Sequence, residues 1–337
     1  MPIRPGRYAA IDVGTVTCRL LVADVDDAGL YEIDREYAIA NLGEGVDGSG
    51  VLGSAAIRRV AEAIAGFKKV LARLSPSDGS CVDVVAFATS AARDAENRNE
   101  LVERLAEEGI DLAVISGERE ASLSFAGASC AFPDENLAVV DIGGGSTEVA
   151  LGRSGGAPDR FHSFDIGCRR VTEKFFSQDP PSTGDLVRAR TWVMAEMRPF
   201  FESMDGDMLP PARLIAVAGT ATTVVSVRDH MEIYDAERVH GTLVSRNDLD
   251  EVYRRLSRVP LEERRRVVGL EPGRAPVIVA GLVIMQAVLD LVGVDSLTVS
   301  ETDILHGAIM DVASDSTAIV PTASDVPFAL HLKKMPS

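Results

Sequence analysis

At 337 residues the chain exceeds the size of a typical single-core domain, which predicts two domains sharing a ligand cleft. Hydrophobic residues at 46% and charged residues at 25% are ordinary globular values that exclude disorder and fibrous folds. A net charge of -17 repels nucleic acid and anionic membranes, so a polyanionic ligand must meet a local basic patch or a metal ion. The four cysteines, Cys18, Cys81, Cys130 and Cys168, lack C-x-x-C spacing and lie in apolar or small-residue stretches, the pattern of buried thiols.

Met1 to Arg7 leads straight into a strand-like run, with no room for the apolar core of a signal peptide. The longest apolar stretch, Ala275 to Val288, contains Pro276, Gly281 and Gln286 and falls short of the roughly 20 residues a membrane span needs. A cytoplasmic protein without membrane attachment is expected, and a homodimer is the commonest closed assembly.

Tyr8 to Asp12 and Arg19 to Asp24 are β-type runs joined by Gly14-Thr15-Val16-Thr17-Cys18, which reads as a strand, a glycine turn and a returning strand. Ala55 to Leu74 carries apolar residues at helical spacing (Ile57, Val60, Ile64, Phe67, Val70, Leu71), and Val82 to Ala88 is a buried strand. Val114 and Ile115 close another strand, after which Ser116 is placed to cap a helix to about Ser129. The polar, proline-containing stretch from Pro133 to Asn136 marks a domain edge.

Beyond that edge the opening pattern recurs. Leu137 to Asp141 is a strand, Gly143-Gly144-Gly145 turns, and Ser146 to Leu151 returns, so Asp12-x-Gly14 and Asp141-x-Gly143 begin one device twice. A helix follows at Ser182 to Met204, then a strand at Leu214 to Ala218 running into Gly219-Thr220. Helices near Arg246 to Leu256 and Pro276 to Val292 and a strand at Leu297 to Val299 complete the pattern, and Pro321 to Ser337 lacks periodicity. The predicted architecture is α/β, with an N-terminal domain over 1–130, a C-terminal domain over 131–316 and a tail over 317–337.

An aspartate ending a strand, followed by a glycine turn with hydroxyls, aims backbone N–H and side-chain OH groups at one point, which suits a phosphate. The aspartate would repel that phosphate unless a divalent cation with oxygen ligands came between them. A single glycine turn is often only structural, but two copies behind the same aspartate are harder to explain that way.

Four segments stand in order: Ala10-Ile11-Asp12-Val13-Gly14-Thr15, Ala88-Thr89-Ser90-Ala91-Ala92-Arg93-Asp94-Ala95, Ile115-Ser116-Gly117-Glu118-Arg119-Glu120-Ala121 and Asp141-Ile142-Gly143-Gly144-Gly145-Ser146-Thr147-Glu148. Together they resemble the exopolyphosphatase and guanosine pentaphosphate phosphohydrolase (Ppx/GppA) family. Weaker echoes at Val217-Ala218-Gly219-Thr220, His240-Gly241-Thr242-Leu243, Gly273-Arg274-Ala275 and Val299-Ser300-Glu301 carry the likeness to about Asp311.

The resemblance implies a two-domain actin-like fold, a duplicated ribonuclease H-like motif with an interdomain cleft. It implies Glu120 as catalytic base, Asp141 and Glu148 as Mg2+ ligands, Asp12 near the metal, and Arg93 as a phosphate contact. Phosphate would also meet Thr15, Thr17, Gly143, Gly144, Gly145, Ser146 and Thr147. Gly219 and Thr220 resemble the loop that meets nucleotide in the wider actin-like superfamily. Read from position alone, Glu120 is equally a helix-start glutamate favoured by the dipole, and Arg93, Arg19 and the pair Arg169-Arg170 are equally surface arginines. Leu42-Gly43-Glu44-Gly45 matches a family loop and is equally a plain loop. His162, His230, His240, His306 and His331 show no metal-ligand spacing.

Three positions depart from the family pattern: Val16 stands for a usual Asn, Arg119 for a usual Glu, and Pro276 for a usual Asp. The implied activity is Mg2+-dependent release of terminal phosphate from inorganic polyphosphate. The alternatives are removal of the 5′ terminal phosphate of guanosine pentaphosphate, a low-turnover polyphosphate or nucleotide binding protein, and a sugar-type kinase, for which no sugar-binding signature is visible.

Overall fold

The computed structural model describes residues 3–75, 82–204, 210–314 and 329–331. Cys81 and most of the expected tail lie outside them. The described residues form two compact units, one holding 3–134, 154–158, 302–314 and 329–331, the other Glu135–Arg153 and Asp159–Glu301.

In the first unit, β1 (Gly6–Val13), β2 (Thr17–Asp26) and β3 (Gly29–Ile39) form an antiparallel meander. Then come α1 (Val46–Ser49), α2 (Ser54–Arg73), β4 (Asp83–Ala88), α3 (Ser90–Asp94), α4 (Arg98–Glu107), β5 (Leu112–Val114) and α5 (Gly117–Ser129). β4 pairs parallel to β1, and β5 parallel to β4, so the strands run β3-β2-β1-β4-β5.

The second unit repeats that scheme with β6 (Asn136–Ile142), β7 (Thr147–Arg153) and β8 (Arg160–Phe164) as the meander. It continues through α6 (Cys168–Phe175), α7 (Thr183–Glu202), β9 (Arg213–Val217), α8 (Ala218–Arg228), α9 (Ala236–Val239) and β10 (Leu243–Ser245). The remaining elements are α10 (Arg246–Ser257), α11 (Leu261–Arg264), α12 (Ile278–Val292) and β11 (Ser296–Val299). The order is β8-β7-β6-β9-β11, with β9 parallel to β6, β11 parallel to β9, and β10 antiparallel at the edge. One five-strand motif with the same pairing senses therefore occurs twice, the duplicated ribonuclease H-like motif of the actin-like fold class.

Local chemistry explains the elements. β1 and β6 are central strands buried on both faces, hence their nearly unbroken apolar runs. Ser182 with Asp185, and Ser245 with Asp248, form capping boxes that start α7 and α10. α12 is apolar almost all round because it lies inside the second unit's core, and no described helix is long and apolar enough to cross a membrane.

α13 (Ile304–Ala313), which the sequence-based boundaries grouped with the second domain, packs on α5 and β1 and belongs to the first unit. The reason is a reciprocal pair of glycines: a Cβ on Gly127 would lie 1.9 Å from the Asp303 carbonyl oxygen, and one on Gly307 2.0 Å from that of Leu123. Both obstacles are backbone, so Gly127→Ala should lower the free energy of unfolding by roughly 1–3 kcal/mol, the scale of overpacking, measurable as a lower urea midpoint. Within the expected tail, β12 (Ala329–His331) pairs parallel to β3.

Candidate active site

β1, β4 and β5 are parallel, so their carboxyl ends share one edge of the first unit's sheet, where open α/β sheets bind ligands. Asp12 lies at the end of β1, α3 with Arg93 follows β4, and α5 with Glu120 follows β5. The Ser116 side chain caps α5 by accepting from the Arg119 N–H at 3.3 Å. Glu120 is buried, and Arg93 Nη1 donates to its Oε2 at 3.0 Å and to the Ile115 carbonyl at 3.2 Å. The expected base and the expected phosphate arginine are thus in contact. Arg119 turns to an ion pair with Asp311 of α13, so the charge this departure introduces is neutralised within the unit.

The β1–β2 turn is held by backbone bonds. Gly14 N–H donates to the Thr17 carbonyl at 3.0 Å, Gly43 N–H to that of Thr15 at 2.9 Å, and Ala40 and Asn41 N–H to that of Val16 at 3.0 and 2.9 Å. A planar trans peptide sets each N–H opposite the preceding carbonyl, so the Val16 N–H points away from the Gly43 loop. The Thr15 and Val16 N–H groups donate to no protein acceptor among the described residues. Gly43 is required here, because a Cβ would fall 2.3 Å from Thr15 Cγ2. The Val16 side chain is buried, so the residue that replaces the family's Asn packs the turn.

Asp12 and Arg19 face each other across β1 and β2. Arg19 donates to Asp12 Oδ2 through Nη2 at 2.6 Å and Nε at 3.0 Å, and also pairs with Asp303 at the start of α13. Burial pushes the Asp12 carboxyl up, with Arg19 opposing, while Asp12 Oδ1 is buried without a hydrogen-bond partner among the described residues. His306 sits fully inside this unit. Its Nδ1 accepts from the Asp303 N–H at 3.2 Å and its Nε2 meets Glu32 Oε1 at 2.7 Å.

Burial alone would raise the Glu32 carboxyl, but the His306 hydrogen bond and the Arg35 charge bring it from 4.5 to about 2. Its contribution to stability is therefore complete above pH 4.5 and is lost as pH falls toward 2. Glu32→Gln should flatten the acid limb of a stability–pH curve measured by chemical unfolding.

In the second unit the parallel strands β6, β9 and β11 bring Asp141, Gly219 and Glu301 to one edge. Asp141 faces Glu148 across β6 and β7, Glu148 faces Ser163 on β8, and the Ser163 hydroxyl donates to Glu148 Oε1 at 2.7 Å. Where the first hairpin sets an arginine opposite its aspartate, the second sets a glutamate.

The glycine turn after β6 is oriented by the start of α6. Cys168 N–H donates to the Gly143 carbonyl at 2.9 Å, Arg169 N–H to that of Gly144 at 2.8 Å, and Arg170 Nε to that of Gly145 at 2.9 Å. By the same planarity, the N–H groups of Gly144, Gly145 and Ser146 point away from α6, and none has a protein acceptor among the described residues. Three successive unused N–H groups make an anion-binding concavity. A Cβ on Gly167 would sit 2.2 Å from the Gly144 carbonyl oxygen, so this approach needs glycine. Thr147 is fully buried and its hydroxyl donates to the Ile166 carbonyl, tying β7 to the segment before α6.

Ala218 takes φ 65° at the mouth of α8, and Thr220 is buried against Gly281 of α12. A Cβ on Gly219 would lie 1.1 Å from Arg274 Nη1, so the Arg274 guanidinium rests directly on this turn. Pattern reading found the Gly273-Arg274-Ala275 echo without its location. Ser163 and the Arg170 contact were also missed, because none of the three has a spacing signal.

Within each unit the residues available to Mg2+ are hard oxygens. Asp141 and Glu148 are 6% and 2% exposed and lie opposite each other, where two carboxylates repel unless a cation or proton intervenes. Asp12 adds the buried Oδ1. No group of three or more His, Cys, Asp or Glu side chains among the described residues is arranged as a ready-made metal site. Mg2+ commonly uses only one or two carboxylates, with water and substrate phosphates for the rest, so these residues fit it.

A sequence profile of the Ppx/GppA phosphatase family matches residues 21–315. The chain belongs to that family. It is 36% identical over 328 residues to exopolyphosphatase 2 of Mycobacterium tuberculosis, covering 91% of this chain and 98% of that protein. It is also 36% identical over 316 residues to a bifunctional 3-dehydroquinate synthase/phosphatase of Fusobacterium nucleatum, with 90% of this chain matching 46% of that longer protein. The crystal structure of an exopolyphosphatase-like protein superposes with TM-score 0.84 at 32% identity, covering 92% of this chain and 98% of the other. As a Ppx/GppA member, the chain is a phosphoanhydride hydrolase.

Proposed function

We propose that this hydrolase is a Mg2+-dependent exopolyphosphatase, releasing terminal phosphate from inorganic polyphosphate with water activated by Glu120. The reading rests chiefly on the glycine turn after β6, whose three outward N–H groups lie beside a buried carboxylate pair, an arrangement for a phosphate and a cation together. The likeness to proteins named exopolyphosphatase favours polyphosphate over guanosine pentaphosphate. Mg2+, when bound, supplies positive charge to the phosphate oxygens.

The protein's own groups do the rest. In the second unit the N–H groups of Gly144, Gly145 and Ser146 would hold a phosphate, and in the first unit Thr15, Thr17 and the planar donor set of Arg93 are the proposed phosphate contacts. Glu120, held by Arg93, takes the proton from the attacking water. Asp141 and Glu148 of the second unit would hold Mg2+, and Asp12 is the candidate metal ligand of the first unit. The same reading takes the enzyme to be a cytoplasmic homodimer.

Arg93→Ala is expected to raise KM by roughly tenfold to a hundredfold, the scale of a lost charge-assisted hydrogen bond, and to reduce its salt sensitivity. Kinetics over a salt series that match the parent would remove Arg93 from the site. The whole reading is tested by phosphate release from long polyphosphate, tripolyphosphate and guanosine pentaphosphate side by side, with Mg2+ and with chelator. Polyphosphate should be the better substrate, and release should stop with the chelator.

A further inference from the structure

Asp12 and Arg19 face each other across β1 and β2, and so do Arg7 and Asp24 at the other end of the same pair of strands. The two contacts differ. Arg7 donates from Nε to Asp24 Oδ1 and from Nη2 to Oδ2, both at 2.7 Å, so one edge of the guanidinium covers both carboxylate oxygens. In the second unit Arg213 meets the two oxygens of Glu135 in the same way, from Nε at 2.8 Å and Nη2 at 2.9 Å. That fork is the ordinary preference of an arginine beside a carboxylate. Arg19 uses the same two nitrogens but sets both on one oxygen, Asp12 Oδ2, and Asp12 Oδ1 stays buried with no hydrogen-bond partner among the described residues.

The third nitrogen accounts for the difference. Nη1 of Arg7 and of Arg213 meets a neutral oxygen, the Leu74 carbonyl and the Thr298 hydroxyl respectively. Nη1 of Arg19 meets a second carboxylate, that of Asp303. Two carboxylates therefore share one guanidinium, and Asp303 is a fixed point. It is 4% exposed, its Oδ1 accepts from the Leu305 N–H at 3.0 Å, and its own N–H donates to His306 Nδ1 at 3.2 Å. The His306 ring is held in turn by Glu32 of β3, and the Asp303 carbonyl packs against Gly127 of α5, where a Cβ would lie 1.9 Å away.

We propose that Asp303 is a positioning residue for this hydrolase: by holding Arg19 Nη1 it keeps the guanidinium on one oxygen of Asp12 and leaves the other, Oδ1, to a divalent cation. This rests on the reading of Asp12 as the candidate metal ligand of the first unit. Without the Asp303 charge, the guanidinium is free to close over both oxygens of Asp12 as Arg7 does over Asp24, and a cation then has to displace a bidentate ion pair.

The test is calorimetric titration of Mg2+, without substrate, into the full chain and into D303N, D303S, R19M, R19M/D303N and D12N. Asparagine and serine both cap helices well, so α13 should keep its start while Arg19 loses the charge on Nη1. D303N and D303S should each weaken Mg2+ binding roughly tenfold to a hundredfold, the scale seen when a group supporting a metal ligand is lost. R19M and R19M/D303N should bind Mg2+ alike, because Asp303 acts through the guanidinium. Saturating Mg2+ should return the D303N rate of phosphate release to near that of the parent, a rescue that a misfolded variant would not show. Parental Mg2+ affinity in D303N and D303S overturns the proposal. An equal loss when D303N is added to R19M also overturns it, since Asp303 would then act on the cation directly, as does parental affinity in D12N, which removes the metal from Asp12. Phosphate release by the parent is scored separately. Mg2+ binding that follows Asp12, Arg19 and Asp303 in a parent that releases no phosphate from polyphosphate would keep this assignment and sink the exopolyphosphatase reading.

Discussion

Glu120→Gln should lower phosphate release by roughly 10² to 10⁴ fold, the usual scale of general-base catalysis, while leaving substrate affinity nearly intact. The amide keeps the shape of the side chain and can still accept from Arg93 Nη1, so α3 and α5 should stay joined. What is lost is the basic oxygen. In-line attack on phosphorus depends on orienting and partly deprotonating a water, and no other group on this edge of the first unit has been assigned that task. The informative readout is the split between kcat and KM, because an interaction made only in the transition state lowers kcat alone. A variant with parental kcat on every phosphoanhydride would remove Glu120 from the mechanism.

Asp141→Asn acts on a different quantity. It should raise the Mg2+ concentration needed for half-maximal rate by roughly tenfold to a hundredfold, at least the scale seen when groups supporting a metal ligand are lost. Calorimetric titration of Mg2+ into the variant should show the same weakening without any turnover. Metal-free stability should move the other way or not at all, because neutralising one of two facing carboxylates relieves repulsion between β6 and β7. A parental Mg2+ affinity, or a large loss of metal-free stability, would make Asp141 a structural residue instead.

The two glycine hairpins were legible in the sequence because strand, turn and strand are local and differ sharply in residue type. The helix α2 was legible from apolar spacing and α12 from its long apolar stretch, while α7 was placed by its bounds alone. β3 was missed because Glu32, Asp34, Arg35 and Glu36 interrupt its apolar residues. Asp34 is nevertheless buried and the Glu32 side chain is only 4% exposed, tolerated through partners far along the chain such as Arg73 and His306. α6 begins at Gly167 without a side-chain cap, so nothing local announced it. α13 had a usable signal in Asp303, whose carboxyl accepts from the Leu305 N–H, but a helix of ten residues near the chain end drew no notice.

The site was legible mainly through resemblance. Asp12, Arg93, Glu120, Asp141 and Glu148 were named in advance from their motifs. Their surroundings were not, because they come from long-range contacts. Arg19 meets Asp303 across 284 positions, and Arg119 meets Asp311 across 192. Residue type at Arg119 suggested a charge added beside the base. The fold spends that charge on α13.

Terminal attack is tested most directly by phosphorus NMR of long-chain polyphosphate incubated with the enzyme and Mg2+. Orthophosphate should grow in step with the loss of mid-chain phosphorus, with no build-up of short oligomers, and neither change should occur with chelator or with Glu120→Gln. Growth of end-group signal without orthophosphate, which marks internal cleavage, or a polymer left intact by the parent, would contradict the assignment.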